Sequence, residues 1–314
     1  DYRRGDNRRC HAEINDNIAM QTRHFLTLLL LAAIWGAAFL FMRIVAPALG
    51  PGQLVTSRML LSALFLGAVC LAWKKPMPQK KDWGHYLLLG LFSSVLPFLL
   101  YAHAAIRLPA SLLSVLNATA PLWGAIVTAL WMRQMLPGKK VLGLALGIAG
   151  VAILVGLDPE AVRAGNGSAI LAAIAAALCY GIATLYMNVG RAIDPFTNAH
   201  GNAWAATLLV APTLLFFPAP GPVTVTVTLA TLALGIVCSG FAFLLYFRLA
   251  ATIGPTSTLT VAFLIPLFGI LWGALFLDEA LGWHTLAGTL TILAGTALVT
   301  GFSLKKMLRP ARSP

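Results

Sequence analysis

The tetrapeptide Phe98-Leu99-Leu100-Tyr101 recurs letter for letter at Phe243-Leu244-Leu245-Tyr246, 145 positions later, inside a second long apolar run. A proline follows each copy at similar distance (Pro109, Pro255), and a second follows at Pro121 and Pro266, again 145 apart. The offset runs on: Trp35-Gly36 aligns with Tyr180-Gly181, Met42 with Met187, Gly124 with Gly269 and Leu136 with Leu281. Gly143 aligns with Gly288, Gly150 with Gly295 and Gly156 with Gly301, and one slip near Pro109 and Pro255 is corrected before Pro121 and Pro266. Single matches of Gly or Leu carry little weight. An identical tetrapeptide with prolines in register carries more, and the chain reads as an internal duplication.

The runs that hold these repeats are long enough to cross a bilayer. A hydrocarbon core about 30 Å thick takes roughly 20 apolar helical residues. Candidate spans fall at 24–46, 52–73, 83–105, 110–132, 140–157, 168–190, 197–217, 227–250, 255–277 and 284–303. Only 10% of residues are charged, against about 25% in a soluble domain, and mean hydropathy is +0.84. Lipid must therefore supply much of the solvent. The linkers leave no room for an extramembrane domain. Residues 1–23 read as a disordered basic tail, 24–157 as a first five-helix repeat, 168–303 as a second, and 304–314 as a basic cytoplasmic C-terminal tail. Met20 opens a more conventional start, so residues 1–19 read as a start-site artefact or an added segment.

The net charge of +12 would point to nucleic acid in a soluble protein. Here the basic residues sit at the ends of spans, where they act as topology signals rather than a nucleic-acid surface. Lys74, Lys75, Lys80 and Lys81 follow span two, Arg133, Lys139 and Lys140 follow span four, and Lys305, Lys306, Arg309 and Arg312 follow span ten. The opposite loops are poor in base, which predicts both termini in the cytoplasm. Cys10, Cys70, Cys179 and Cys238 have neither disulfide-framework nor metal-site spacing, so no metal or cofactor is implied.

Five spans per repeat is an odd number, so the second repeat enters the membrane from the opposite side. The predicted fold is all-α and integral to the membrane: ten transmembrane helices as two inverted five-helix repeats around a central cavity. Such a pair places a small-molecule substrate near the midplane where the repeats meet, and can expose it to either side in turn.

Ionisable groups inside spans are costly and mark function by default. All ten acids lie in the tail, in loops or at span ends, so carboxylate-based proton or sodium coupling is not indicated. His103 is a cavity candidate as a proton relay, with a packing role as its alternative. Arg58, about two turns into span two, is expected to snorkel to the outer interface; otherwise it meets a substrate carboxylate or a carbonyl cluster. Arg43 and Arg107 read as outer interfacial anchors and Arg248 as an inner one. The better cavity candidates are the repeat-related pairs Trp35 and Tyr180, and Tyr101 and Tyr246, with packing or the interfacial belt as their alternative. Asn117 and Thr119, beside Pro121, and Ser239 join them. Pro121 and Pro266 are predicted helix breaks that free the carbonyls of Asn117 and Ala262. Asn188, Asn198, His200, Asn202 and Trp204 cluster at inner span ends. Gly143, Gly147 and Gly150 with Gly288 and Gly295 predict close helix contact, within one chain or between subunits. A monomer is the favoured state.

Trp35-Gly36, the paired five-span halves, Pro121, Pro266 and the run Leu271-Trp272-Gly273-Ala274-Leu275-Phe276-Leu277-Asp278-Glu279 resemble the drug/metabolite transporter superfamily. The resemblance, over residues 24–303, is to its ten-span EamA-type exporters, with the bacterial aromatic amino-acid exporter branch nearest. It implies export of small metabolites across a bacterial inner membrane, with spans three, four, eight and nine around the cavity. It places Trp35, Tyr101, Asn117, Tyr180, Ser239 and Tyr246 there. The acidic pair Asp278-Glu279 has Arg133-Gln134 as its counterpart, so a symmetric role for it is not indicated. Rings, amides and hydroxyls with few fixed charges suit a neutral or zwitterionic solute, amino acids first. Other metabolites or drugs form the alternative substrates. An intramembrane enzyme is the remaining alternative, but no Ser/His pair, paired carboxylates or metal cluster stands at local spacing in the spans.

Overall fold

The computed structural model describes residues 2–156, 166–189, 193–216, 218–254, 258 and 260–301, with side chains from Arg23 onward. Pro255 and the tail 304–314 lie outside the described residues. Those that are described form helices and connecting turns, with no strand among them.

The first element, α1 (Tyr2–Ala72), is two helices joined at Gly50, whose φ of 70° and ψ of 165° are non-helical. Its arms, residues 23–49 and 51–72, are each long enough for a hydrocarbon core. Then come α2 (Lys80–Ala105), α3 (Ala110–Met132), α4 (Gly138–Gly156), α5 (Gly167–Val189) and α6 (Pro195–Val210). A short turn at Thr213–Phe216 leads to α7 (Val225–Ile253), α8 (Val261–Leu277) and α9 (Trp283–Thr300). By length and composition six stretches can cross a membrane: Arg23–Ala72, α2, α3, Gly138–Val155 of α4, α5 and α7. A count of ten needs the two arms of α1 taken separately and α6, α8 and α9 added.

Some boundaries differ from expectation for local reasons. The span expected to reach residue 217 stops at Val210, because Pro212 has no N–H to continue the helical ladder. The helical backbone of α1 runs from Tyr2 into the first arm. A helix already nucleated extends at one hydrogen bond per residue fixed.

The helices meet at glycines, and the meetings come in pairs. A Cβ on Gly36 would stand 2.7 Å from Phe268 Cβ and 2.9 Å from the Gly269 nitrogen. One on Gly181 would stand 2.7 Å from the Gly124 nitrogen and 2.9 Å from the Trp123 carbonyl carbon. Adding 145 to 36, 123 and 124 gives 181, 268 and 269, so the α1–α8 and α3–α5 crossings are counterparts. The α4–α9 contact is its own counterpart. Gly143 faces the carbonyl of Gly295 and Gly150 that of Gly288, an antiparallel register in which one pair is the repeat equivalent of the other. This glycine seam lies within one chain, which decides between the two alternatives open in the sequence. Small residues let backbones approach where lipid offers no hydrophobic drive to associate.

The largest buried cluster joins both halves: Phe39, Met42, Tyr101 and Leu112 pack with Ala173, Ile265 and Ile292. The outer surface is apolar too, with Ile148 70%, Leu171 67% and Leu290 67% exposed. Threonines in the helices, such as Thr289 and Thr291, donate to the carbonyl four residues back, which satisfies them without water.

Candidate functional site

Two helices widen just before the repeated tetrapeptides. α2 contains a π-type turn at Leu91–Val95 and α7 one at Ala233–Phe241. These ranges overlap under the 145-residue offset. Wide turns of this kind re-aim side chains and are frequent at functional sites. Ser94 and Ser239, repeat equivalents within the two turns, are both buried. Each is met by a polar side chain of the opposite repeat. Arg58 Nε donates to Ser239 Oγ at 2.9 Å, and Asn202 Nδ2 donates to Ser94 Oγ at 3.1 Å. Adding 145 to 58 gives 203, one position beyond Asn202.

The aromatic candidates pair by the same rule. Trp35 lies 5.7 Å from Tyr246 and Tyr180 lies 6.3 Å from Tyr101, ring centroid to centroid. Trp35 and Tyr180 are repeat equivalents, as are Tyr246 and Tyr101, so one contact is the counterpart of the other. Both join the two repeats. The difference between them lies in one ring: Tyr101 is 1% exposed, whereas its counterpart Tyr246 is partly exposed, as are Trp35 and Tyr180. The Tyr101 hydroxyl donates to Asn117 Oδ1 at 3.2 Å, and the Tyr101 ring stands edge-on to Phe39. That hydroxyl is engaged within the first repeat.

Arg58 is not at the interface. It is 4% exposed, contrary to the expected snorkelling. Its guanidinium carbon sits 3.8 Å from the centroid of the Phe98 ring, and Nη1 approaches Met42 Sδ at 3.7 Å. The π-type turn of α7 presents Ser239 at the right depth, and Phe98 closes the guanidinium face. Length along the chain could not reveal this, because one position two turns into a span fits both snorkelling and burial.

Thr119 is buried and donates to Leu116 O at 2.6 Å, inside a turn that separates Ala110–Asn117 from Ala120–Met132. Pro121 falls in the first turn of the second segment, where a missing N–H costs little. The Ala118 carbonyl in this turn accepts from Thr296 Oγ1 at 3.1 Å. Pro266, expected as a matching break, lies within continuous α8. His103 is exposed. Two residues on from buried Tyr101, it is turned about 200° around the helix, away from the ring pairs.

At the other end of these helices, His85 Nε2 is hydrogen-bonded with Asn198 Oδ1 and Nδ1 with the Tyr186 hydroxyl, both at 3.0 Å. Trp204 Nε1 donates to His200 Nε2 at 2.9 Å. The expected grouping of Asn198, His200, Asn202 and Trp204 is thus tied to α2 through His85 and Ser94. At the opposite end Arg43 Nη1 donates to the carbonyls of Ala105 and Ile106, at 2.9 and 2.8 Å. Glu279 accepts from the backbone N–H of Ala110 at 2.6 Å and of Ser111 at 3.0 Å. Sequence reasoning missed Ser94, Glu279 as a cap, and the burial of Arg58. Only Ser94 left a signal, its match to Ser239 under the offset.

The family described as "EamA-like transporter family" matches residues 23–156 and, separately, residues 167–301. Among curated proteins the chain is 26% identical to the "Uncharacterized transporter YvbV" of Bacillus subtilis over 291 residues, covering 89% of this chain and 92% of that one. It is 23% identical over 290 residues to the "Probable terminal-alkyne amino-acid exporter" of Streptantibioticus cattleyicolor, covering 91% and 96%. A solved crystal structure superposes with a TM-score of 0.61 at 20% identity, over 89% of this chain and 96% of that one, which speaks for the fold alone.

Proposed function

The chain belongs to the EamA-like transporter family, and we propose that it is an inner-membrane exporter of small neutral or zwitterionic metabolites, amino acids first among them. In this reading ten spans form two inverted five-helix repeats. Alternating access exchanges the conformations of the halves, with both termini in the cytoplasm. The reading is carried by the two ring contacts Trp35–Tyr246 and Tyr180–Tyr101. They are equivalent in sequence, yet Tyr101 is buried in one while its counterpart Tyr246 is partly exposed in the other. An exchange of those two environments is what a carrier built from inverted repeats needs in order to pass solute from one side to the other.

Further support comes from the paired glycine crossings, the antiparallel α4–α9 register and the bias of Lys and Arg to one set of loops. The relative named as an amino-acid exporter supports the substrate class at low identity. From Arg23 onward the described carboxylates, Asp82, Asp194, Asp278 and Glu279, sit at helix ends, so a gradient of substrate is the preferred driving force.

Counterflow in proteoliposomes tests the proposal. Vesicles holding the purified full chain and preloaded with amino acids are expected to take up labelled threonine, methionine or an aromatic amino acid, with little response to an imposed pH gradient. Failure to move any of a broad amino-acid panel overturns the substrate assignment.

A further inference from the structure

The two bridges between repeats do the same structural task with different chemistry. On one side the neutral amide of Asn202 reaches Ser94; on the other the guanidinium of Arg58 reaches Ser239. Joining a serine of the opposite repeat therefore does not need a charge. Yet Arg58 carries one, at 4% exposure, in a region where an isolated cation is expensive.

What surrounds that charge leaves it uncompensated. Among the described residues no carboxylate touches it; the titratable neighbours are Tyr180 and Cys238, a phenol and a thiol uncharged near neutral pH. Phe98 covers one face. Of the donors, Nε is used by Ser239, while the Nη1 side meets a thioether sulfur, a weak acceptor. A guanidinium whose Nη2 has no partner among the described residues and whose Nη1 meets only a weak acceptor, backed by a ring and held between the two repeats, fits a planar carboxylate, which it can bind through two parallel hydrogen bonds.

Resting on the amino-acid reading above, we propose that Arg58 is the anchor for a substrate carboxylate and that the carboxylate, rather than the amine, is the charge this carrier recognises. The substrate class is then a small monocarboxylate with an apolar or aromatic body that lies against the Trp35, Tyr180 and Tyr246 rings. The described helices offer no acid to pair with an ammonium group at this depth. A monoanion neutralises Arg58 outright, whereas a zwitterion brings a second cation into the same apolar surroundings. A 2-oxo or 2-hydroxy acid is therefore bound at least as well as the amino acid of the same side chain. An amide or alcohol that keeps the amine and lacks the carboxylate is bound poorly.

Binding to the detergent-purified full chain, followed by tryptophan fluorescence or thermal shift, tests this with matched sets. Phenylalanine, phenylpyruvate and phenylalaninamide form one set; leucine, 2-oxo-4-methylpentanoate and leucinamide form another. The two carboxylates of each set should bind at least about tenfold tighter than the amide, as expected for loss of a charge-assisted hydrogen-bond pair. Arg58→Gln should erase the preference for carboxylate over amide, and Arg58→Lys should keep part of it. The wild-type comparison needs no variant to fold. Equal binding of amide and acid, absence of binding by every carboxylate in the sets, or an unchanged preference in folded Arg58→Gln each overturns the proposal. If oxo acids bind and amino acids do not, the amino-acid reading fails while the anchor stands. If amino acids and amides bind alike, the anchor fails while that reading stands.

Discussion

Gly36 lies so close to Gly269 that a Cβ at position 36 would stand 2.9 Å from the Gly269 nitrogen, and Gly181 repeats the relationship with Gly124 at 2.7 Å. Real side chains do not tolerate such contacts with backbone, so Gly36→Ala and Gly181→Ala must push two helices apart. Each should cost about 1–3 kcal/mol, the usual range for overpacking. The reverse partner differs: a Cβ on Gly124 would meet only the Gly181 Cα, at 3.7 Å. Gly124→Ala should be neutral or slightly stabilising, since alanine favours a helix by up to about 1 kcal/mol. Melting temperatures of the three purified variants read out this order. Equal loss at 36, 181 and 124 would contradict the packing described.

The bend at Gly50 makes a separate demand. With φ at 70° and ψ at 165°, the residue occupies a region essentially reserved for glycine. Gly50→Ala should destabilise by about 1–3 kcal/mol, although no neighbour lies closer to its Cβ position than Pro220 Cδ at 3.4 Å. A conservative Gly84→Ala, at a helical glycine with open space around it, supplies the control and should be stable. A melting temperature unchanged by Gly50→Ala would show that the arms meet in some other backbone conformation.

The duplication was readable because its signals are positional. An offset of 145 links the ring pairs, the glycine crossings and even the left-handed caps, Arg133 at φ 51° and Asp278 at φ 52°. Depth and orientation were harder to read. Arg58 could be buried or interfacial at the same distance along its span until Ser239 and Phe98 were placed around it. His103 sits near Tyr101 in sequence but on another face of the helix. Pro121 and Pro266 match in sequence, yet only Pro121 follows a turn that ends one helical segment and starts another. A proline signals a missing donor, and whether the helix breaks there depends on what neighbouring helices offer, as Thr296 offers to Ala118.

Tyr101 and Tyr246 should separate when their hydroxyls are removed. Tyr101→Phe removes the buried hydroxyl that donates to Asn117 Oδ1, leaving a part-buried acceptor unsatisfied. That should cost about 1 kcal/mol. Tyr246 is partly exposed and held through its ring against Trp35, so Tyr246→Phe should leave the melting temperature within about 0.5 kcal/mol equivalent of the parent. Counterflow assays on both variants complete the comparison. Unchanged transport and selectivity in both would remove these tyrosines from the proposed path.

Orientation can be checked from two exposed positions, one at the start of α2 and one in the turn before α7. Lys80 belongs to the basic set expected inside, and Pro220 to an uncharged turn expected outside. The native Cys70, Cys179 and Cys238 are buried and free. In a Cys10→Ser background, a cysteine at 220 should react with a membrane-impermeant maleimide in intact cells. One at 80 should react only after the membrane is opened. The opposite pattern would invert the whole topology.

The acidic pair present in only one half has a physical reason in Glu279. α3 begins after Pro109, which supplies no side-chain cap, so the first amide groups of that helix need an acceptor from elsewhere. Asp278 takes a left-handed conformation at the end of α8, and the next residue turns its carboxylate onto Ala110 and Ser111. A negative charge there also meets the favourable end of the helix dipole. The contact ties the end of α8 to the start of α3, two helices from opposite repeats. Glu279→Ala should lose about 1–2 kcal/mol, the cost of a good N-terminal cap, and Glu279→Gln should lose less, because an amide oxygen still accepts one bond. Gln134→Ala, at the equivalent position of the other repeat, supplies the comparison. In the proposed carrier this tie closes one end of the path, so Glu279→Ala should also raise the reactivity of a cysteine at Ser111 toward a maleimide, beyond any change at a control position on α9. A cysteine at 111 that stays equally protected, with a melting temperature unmoved, would show that the carboxylate caps α3 without contributing to stability or closure.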